Sequence, residues 1–87
     1  MKVLMNAINN GTTVLLTGNR VAIVRDGMKN AMTRMVEVIS GAPVREMGSI
    51  YIFDIVKVKI DDAWYETEMT ERQRKRASEI KNALSFF

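Results

Sequence analysis

The chain has 87 residues, of which 47% are hydrophobic and 26% are charged, and its formal net charge is +3. This length fits one domain, residues 1–87, and the hydrophobic content is too high for an intrinsically disordered chain. There is no Cys and no His, which excludes disulfides, Cys or His metal ligands and His-based catalysis.

The composition also predicts where the protein works. No window of about 18 residues is apolar throughout, so we expect no transmembrane helix. Met1–Ile8 has neither a long apolar core nor a small-residue cleavage site, and we therefore expect no signal peptide. Small secreted domains usually depend on disulfides, so the sequence predicts a cytoplasmic protein without a membrane partner.

The first predicted element along the chain is a β-hairpin. Thr12–Thr17 and Arg20–Arg25 are rich in β-branched residues, and Gly18-Asn19 between them is a typical two-residue turn. Residues 1–10 stay open between helix and strand, because the helical spacing of their apolar residues is too short to hold a helix alone.

Residues 28–49 give a mixed signal. Thr33–Ser40 has strand composition and is predicted as a strand. The alternative is a helix over residues 28–40, because four apolar residues fall on one helical stripe, namely Met28, Met32, Met35 and Ile39. Residues 41–49 contain Gly41 and Pro43 and are predicted as a loop.

The longest predicted strand is Ile50–Ile60, and Ala63–Met69 is its antiparallel partner across an Asp61-Asp62 turn. In this strand the period-two pattern places Ile52, Val56 and Val58 on one face.

Acidic side chains collect in residues 49–69, which have a net charge of −3. They are Asp54, Asp61, Asp62, Glu66 and Glu68. One hairpin does not bring enough oxygens together for a divalent cation, so we predict no metal site and no cofactor. Asp54 interrupts an apolar face and is expected to pair with an Arg such as Arg20 or Arg45, or to lie at the rim of the sheet.

A C-terminal helix is predicted over residues 71–84. Thr70 and Gln73 have the spacing of a capping box, and Ala77, Ile80 and Leu84 form a narrow apolar stripe. The predicted fold class is therefore α+β: a β-meander or SH3-like small barrel of about five strands, β-rich over 12–69, with one C-terminal helix.

Two resemblances accompany these predictions. The segments Gly11–Val14, Arg20–Val24 and Asp54–Val58 resemble strands of an SH3-like barrel. The whole chain, which lacks Cys and has seven Met and a basic C-terminal helix, resembles small accessory proteins of tailed bacteriophages. This resemblance supplies no functional residues.

The sharpest functional feature is the positive charge of residues 70–87, which have a net charge of +3. Its basic residues are Arg72, Arg74, Lys75, Arg76 and Lys81. On a helix, Arg72, Lys75 and Arg76 lie on one side, where they are suited to contact nucleic-acid phosphates or an acidic partner.

The end of the same helix is apolar. Ile80, Leu84, Phe86 and Phe87 are predicted to form an oligomer or partner interface, with a two-fold homodimer as the simplest case. An open strand edge is another candidate for the dimer contact. The competing interpretation is that the same stripe packs on its own sheet and completes a monomeric core.

No catalytic constellation is present in the sequence, because the glycines are isolated and the serines have no His base. The leading interpretation is a non-enzymatic small binding protein, either a protein–protein interaction factor or a host-modulating factor, that occupies a partner surface. The alternative is an accessory nucleic-acid-binding protein that contacts phosphates through the basic helix.

Overall fold

The computed structural model describes residues 2–25, 32–41 and 44–85. Its strands are β1 (Lys2–Leu4), β2 (Thr13–Leu16), β3 (Val21–Val24), β4 (Thr33–Ser40), β5 (Met47–Tyr51), β6 (Ile55–Ile60) and β7 (Ala63–Glu68). One helix, α1 (Glu71–Leu84), follows them. Single turns of 3-10 helix lie at Met5–Ala7 and Ile52–Asp54. The α+β class is confirmed.

All seven strands form one sheet in the order β1-β7-β6-β2-β3-β4-β5. β1 pairs with β7 in parallel, and every other pair is antiparallel. β1 and β5 are the two edges, and no ladder joins them in the part of the chain that is described. The predicted SH3-like barrel of about five strands is therefore wrong: the sheet is open and has seven strands.

The inner face of this sheet carries the core. Alternate residues of the central strands are buried on it, as the pleat requires. They include Val14, Leu16, Ala22, Val24, Val36, Val38 and Val58. Val3, Met5 and Ile8 of the N-terminal segment join the same cluster. One contact shows that the sheet curls. Arg34 Nη2 on β4 lies 3.2 Å from the carbonyl oxygen of Met5, although Met5 follows the edge strand β1 and four strands lie between β1 and β4.

Several predicted strands are confirmed. The first hairpin forms as β2 and β3, and Gly18 and Asn19 in its turn both have positive φ. Residues 33–40 are strand β4, which excludes the alternative helix over those residues. The first part of that alternative, residues 28–31, lies outside the described residues.

The predicted loop over residues 41–49 is wrong at its end, because β5 begins at Met47 and pairs with β4. The predicted single strand over residues 50–60 is also wrong, because the 3-10 turn at Ile52–Asp54 divides it. This turn shifts the alternation, so that Ile55 is buried and Val56 is exposed.

Asp54 explains why that turn forms. Its carboxylate accepts a hydrogen bond from the Tyr51 N–H at 3.2 Å. Its carbonyl oxygen accepts another from the Thr17 N–H at 2.9 Å. Among the described ion pairs none joins Asp54 to Arg20 or Arg45, so the expected salt bridge is replaced by a backbone cap.

The helix α1 has the predicted bounds and the predicted capping box. Thr70 Oγ1 accepts from the Gln73 N–H at 3.1 Å, and Gln73 Oε1 accepts from the Thr70 N–H at 2.9 Å. Gln73 is buried and its Nε2 donates to Asn6 Oδ1 at 2.9 Å, which holds α1 against the N-terminal segment. In the residues described, no helix has the length and apolarity to cross a membrane.

Candidate protein-interaction surface

Three exposed apolar side chains lie near the connection between β4 and β5. Ile39 is 42% exposed, and Val44 and Met47 are each 57% exposed. We call these three residues the β4–β5 patch. Single exposed apolar residues are ordinary on protein surfaces, but a contiguous group often marks a contact with another protein.

Charged side chains border this patch. Glu37 lies opposite Met47 in the β4–β5 ladder, and Arg25 Nε donates to Glu37 Oε1 at 2.8 Å. Ile39 and Val44 line a shallow pocket of about 180 Å³ together with Arg25, Glu37 and Arg45. An apolar centre with a polar rim is the usual arrangement of a protein–protein contact, and the pocket is smaller than most small-molecule sites.

The patch was not visible in the sequence patterns, because residues 41–49 were predicted as a loop. One signal was present. Gly41 and Pro43 separate two runs that both contain apolar residues, which is also the pattern of a hairpin. Pro43 lies outside the described residues, but β4 and β5 on either side of it do pair.

The basic residues of α1 are divided between two sides of the helix. Arg72, Lys75 and Arg76 line one depression of about 390 Å³ with Met32, Gln73 and Glu79. Within this group Arg76 Nη1 lies 3.6 Å from Glu79 Oε2, and both side chains are largely exposed. The structure thus brings together three of the five predicted contact residues.

The other two basic residues make contacts within the domain. Arg74 Nη1 donates to the carbonyl oxygen of Met69 at 2.6 Å. Lys81 Nζ lies 4.8 Å from the ring centroid of Phe53, and the Phe53 ring stacks on Tyr51 with centroids 4.9 Å apart. Arg74 and Lys81 therefore contact the rest of the domain, and they do not extend the group formed by Arg72, Lys75 and Arg76.

The residues predicted to form the apolar interface of α1 differ in exposure. Ile80 is partly buried in a depression that Met32, Thr33, Tyr51 and Arg76 also line. Leu84 is 49% exposed. Phe86 and Phe87 lie outside the described residues. In the part that is described, Ile80 is thus partly buried and Leu84 is exposed.

One charged residue lies in the core, which the sequence patterns did not indicate. Arg34 is only 3% exposed, and its guanidinium donates to the carbonyl oxygens of Thr33 at 2.8 Å and Met5 at 3.2 Å. None of the described ion pairs includes it. Burial lowers the pKa of Arg34, because the charged form loses its hydration.

The two acidic residues of the β6–β7 turn have a structural explanation. Asp61 and Asp62 both adopt positive φ in the turn, a conformation that Asp tolerates better than most residues. Lys59 Nζ lies 3.9 Å from Asp62 Oδ1. Among the residues described, no three acidic side chains are grouped so that they could hold a metal ion.

Comparison of this chain with protein-family models, with curated proteins and with solved structures finds no match in any of the three. The β4–β5 patch and the basic side of α1 are therefore interpreted from their own chemistry.

Proposed function

We propose that this protein is a non-enzymatic binding protein that covers a surface of a partner protein through the β4–β5 patch. The observation that carries the proposal is that Ile39 and Val44 are exposed and line one charge-bordered pocket, while the exposed Met47 lies opposite Glu37, which lines the same pocket. A host protein regulated by this contact is the class of partner that we favour.

The charges around the patch suggest the chemistry of the partner. Arg25 is paired with Glu37, whereas no described ion pair includes Arg45. A complementary partner would present an apolar centre with a carboxylate beside it, placed to meet Arg45. Apolar side chains would supply most of the affinity, and the charge would orient the two proteins.

The test compares capture of proteins from lysate of the producing cells by immobilised variants. Ile39→Asp with Val44→Asp charges the patch, and Leu4→Asp with Val56→Asp makes the same change at exposed sites on β1 and β6. We expect one protein to be retained by the wild type and the control, and retained about tenfold less by the patch variant. Equal retention by both double variants, or no retained protein at all, contradicts the proposal.

A second function is supported by a different observation, the three basic residues on one side of α1. We propose as the alternative that Arg72, Lys75 and Arg76 contact the phosphates of a nucleic acid. Each phosphate contact releases counterions, so binding of this kind weakens steeply as salt rises.

The alternative is tested by fluorescence anisotropy with labelled single-stranded and duplex DNA at several salt concentrations. Replacing Arg72, Lys75 and Arg76 by Ala should weaken binding and reduce the salt slope by about 0.9 for each lost contact on duplex DNA. The charge-matched control replaces Lys2, Lys57 and Lys59 of the sheet. No binding at tens of micromolar, or equal loss in both variants, contradicts it.

A further inference from the structure

The edge of the sheet at β5 has backbone groups that the described chain does not use. In an antiparallel pair, residues alternate between bonding the neighbouring strand and facing away from it. The Val38 N–H donates to the Glu46 carbonyl oxygen at 2.9 Å, and the Ile52 N–H donates to the Met32 carbonyl oxygen at 2.9 Å. By this alternation the N–H and C=O groups of Met47 and Ser49 face the open edge, and among the described residues no hydrogen bond outside the β4–β5 ladder involves them.

This edge also lacks the features that usually prevent strand pairing. Met47–Tyr51 contains no charged residue and no Pro. The opposite edge, β1, has three residues and begins with Lys2. A short or charged edge resists the addition of another strand, whereas an uncharged edge of five residues invites it.

Gly48 lies between the two open residues of β5, and the described chain does not require a glycine there. Its φ is outside the left-handed region, and a Cβ built on it would have no atom within 4 Å. Glycine weakens a strand interior and often marks a place where another backbone approaches closely.

We propose that β5 pairs with β5 of a second copy of this chain, antiparallel about a two-fold axis at Gly48. This register places Met47 opposite Ser49 of the second copy, with two hydrogen bonds in each such pair. Moving the axis to Ser49 would place Met47 opposite Tyr51, whose N–H already donates to the Asp54 carboxylate. The Gly48 register is favoured because it pairs the N–H and C=O groups of both Met47 and Ser49.

The composition of β5 is compatible with a second copy as the occupant, and the Gly48 register makes the edge complementary to itself. A two-fold axis places like residues near each other, so a charged edge would repel its own copy, and Met47–Tyr51 has no charge. The inference rests on the proposed function in one respect: the pairing extends the β4–β5 patch across the axis and makes it one continuous partner surface.

The first test is the molar mass of the full chain by light scattering at about 100 µM, a range in which weak dimers are populated. Ser49→Lys places a charge on each edge, and Ser78→Lys makes the same change on the exposed side of α1. We expect a dimer for the wild type and Ser78→Lys, and a dimer affinity about tenfold weaker for Ser49→Lys. Circular dichroism of both variants establishes that the fold is retained.

Ser49→Pro is the second variant. It removes an N–H that faces the open edge and leaves the β4–β5 ladder intact. It should also shift the protein to the monomer. If Ser49→Lys and Ser49→Pro fold and remain as dimeric as the wild type, β5 is not the contact.

Amide hydrogen exchange tests the register. The N–H groups of Gly48 and Ile50 bond β4 and should be protected at every protein concentration, whereas those of Met47 and Ser49 should become protected only as the dimer forms. A wild type that is monomeric at 100 µM or so overturns the inference. Capture of a partner through Ile39 and Val44 would then still support the proposed function, so the two failures are distinguishable.

Discussion

Arg34 is a buried cation whose ligands are backbone oxygens. Removing the guanidinium from the core would remove its hydrogen bonds to the carbonyl oxygens of Met5 and Thr33 and would open a cavity. Because burial lowers the pKa of Arg34, its charge is less favourable here than in water, and its benefit comes from packing and from these two hydrogen bonds.

We expect Arg34→Ala to lower the free energy of unfolding by about 2–4 kcal/mol, measured by urea denaturation. Arg72→Ala, at an exposed position of α1, is the matched control and should change it by about 0.5 kcal/mol or less. If Arg34→Ala does not fold, Arg34→Met keeps most of the volume and should show a smaller loss. Equal stabilities for the two alanine variants would show that Arg34 does not hold the curl of the sheet.

Two glycines should respond in opposite ways to the same substitution. Gly41 has φ +91°, and a Cβ there would lie 3.1 Å from Arg20 Cγ and 3.2 Å from Arg20 Cα. Gly41→Ala should therefore cost about 1–2 kcal/mol of stability. Within one copy of the chain Gly48→Ala meets open space, so at concentrations at which the protein is monomeric it should stabilise the fold by about 0.5–1 kcal/mol. Thermal unfolding of both variants measures the difference, and a loss of stability in Gly48→Ala would contradict the expectation.

At the scale of elements, α1 depends on Gln73 more than its sequence pattern suggests. Thr70→Ala removes one cap hydrogen bond and should cost about 1 kcal/mol. Gln73→Ala removes the other cap bond and also the contact with Asn6, so its cost should be larger. A double-mutant cycle of Gln73 and Asn6 measures their coupling, with Ser78→Ala as the exposed control. A Gln73→Ala cost equal to that of Thr70→Ala would mean that the Asn6 contact contributes nothing.

The elements that sequence patterns predict well are those with strong local signals. α1 has a capping box and a stripe, and the hairpin of β2 and β3 has β-branched strands and a Gly-Asn turn. β1 has three residues and is fixed by pairing with β7, which is distant in the sequence, whereas β5 contains Gly48 and Ser49, which favour a loop, and is fixed by pairing with β4. The β4–β5 patch depends on β5, and for that reason it could not be predicted.

The division of the predicted strand over residues 50–60 has a similar cause. Six β-favouring residues surround Asp54, four before it and two after it, and in a sequence pattern they outweigh one acidic residue. In the fold, Asp54 caps the Tyr51 N–H and its carbonyl oxygen binds Thr17 across the chain. The second of these contacts is non-local, so periodicity alone cannot detect the turn.

At the scale of the whole molecule, the N-terminal segment closes the core. Met5 is 2% exposed and packs in the core cluster, whereas its neighbour Leu4 is 48% exposed. We expect Met5→Ala to lower the free energy of unfolding by about 2–5 kcal/mol, and Leu4→Ala to lower it by about 0.5 kcal/mol or less. Urea denaturation of the two variants tests this, and similar losses would show that the segment is a loose terminus.

The parallel pairing of β1 with β7 also determines the order in which the molecule assembles. Lys2–Leu4 pair with Glu66–Glu68, so β1 cannot form its ladder until β7, more than 60 residues later in the chain, is in place. The hairpins β2–β3, β4–β5 and β6–β7 need only local closure and should form earlier, while the docking of β1 carries the largest loop-closure entropy. A contact made this late is largely absent from the folding transition state. Met5→Ala should therefore accelerate unfolding more than it slows folding in stopped-flow measurements. In that case the N-terminal segment controls the unfolding rate, and with it the lifetime of the native state.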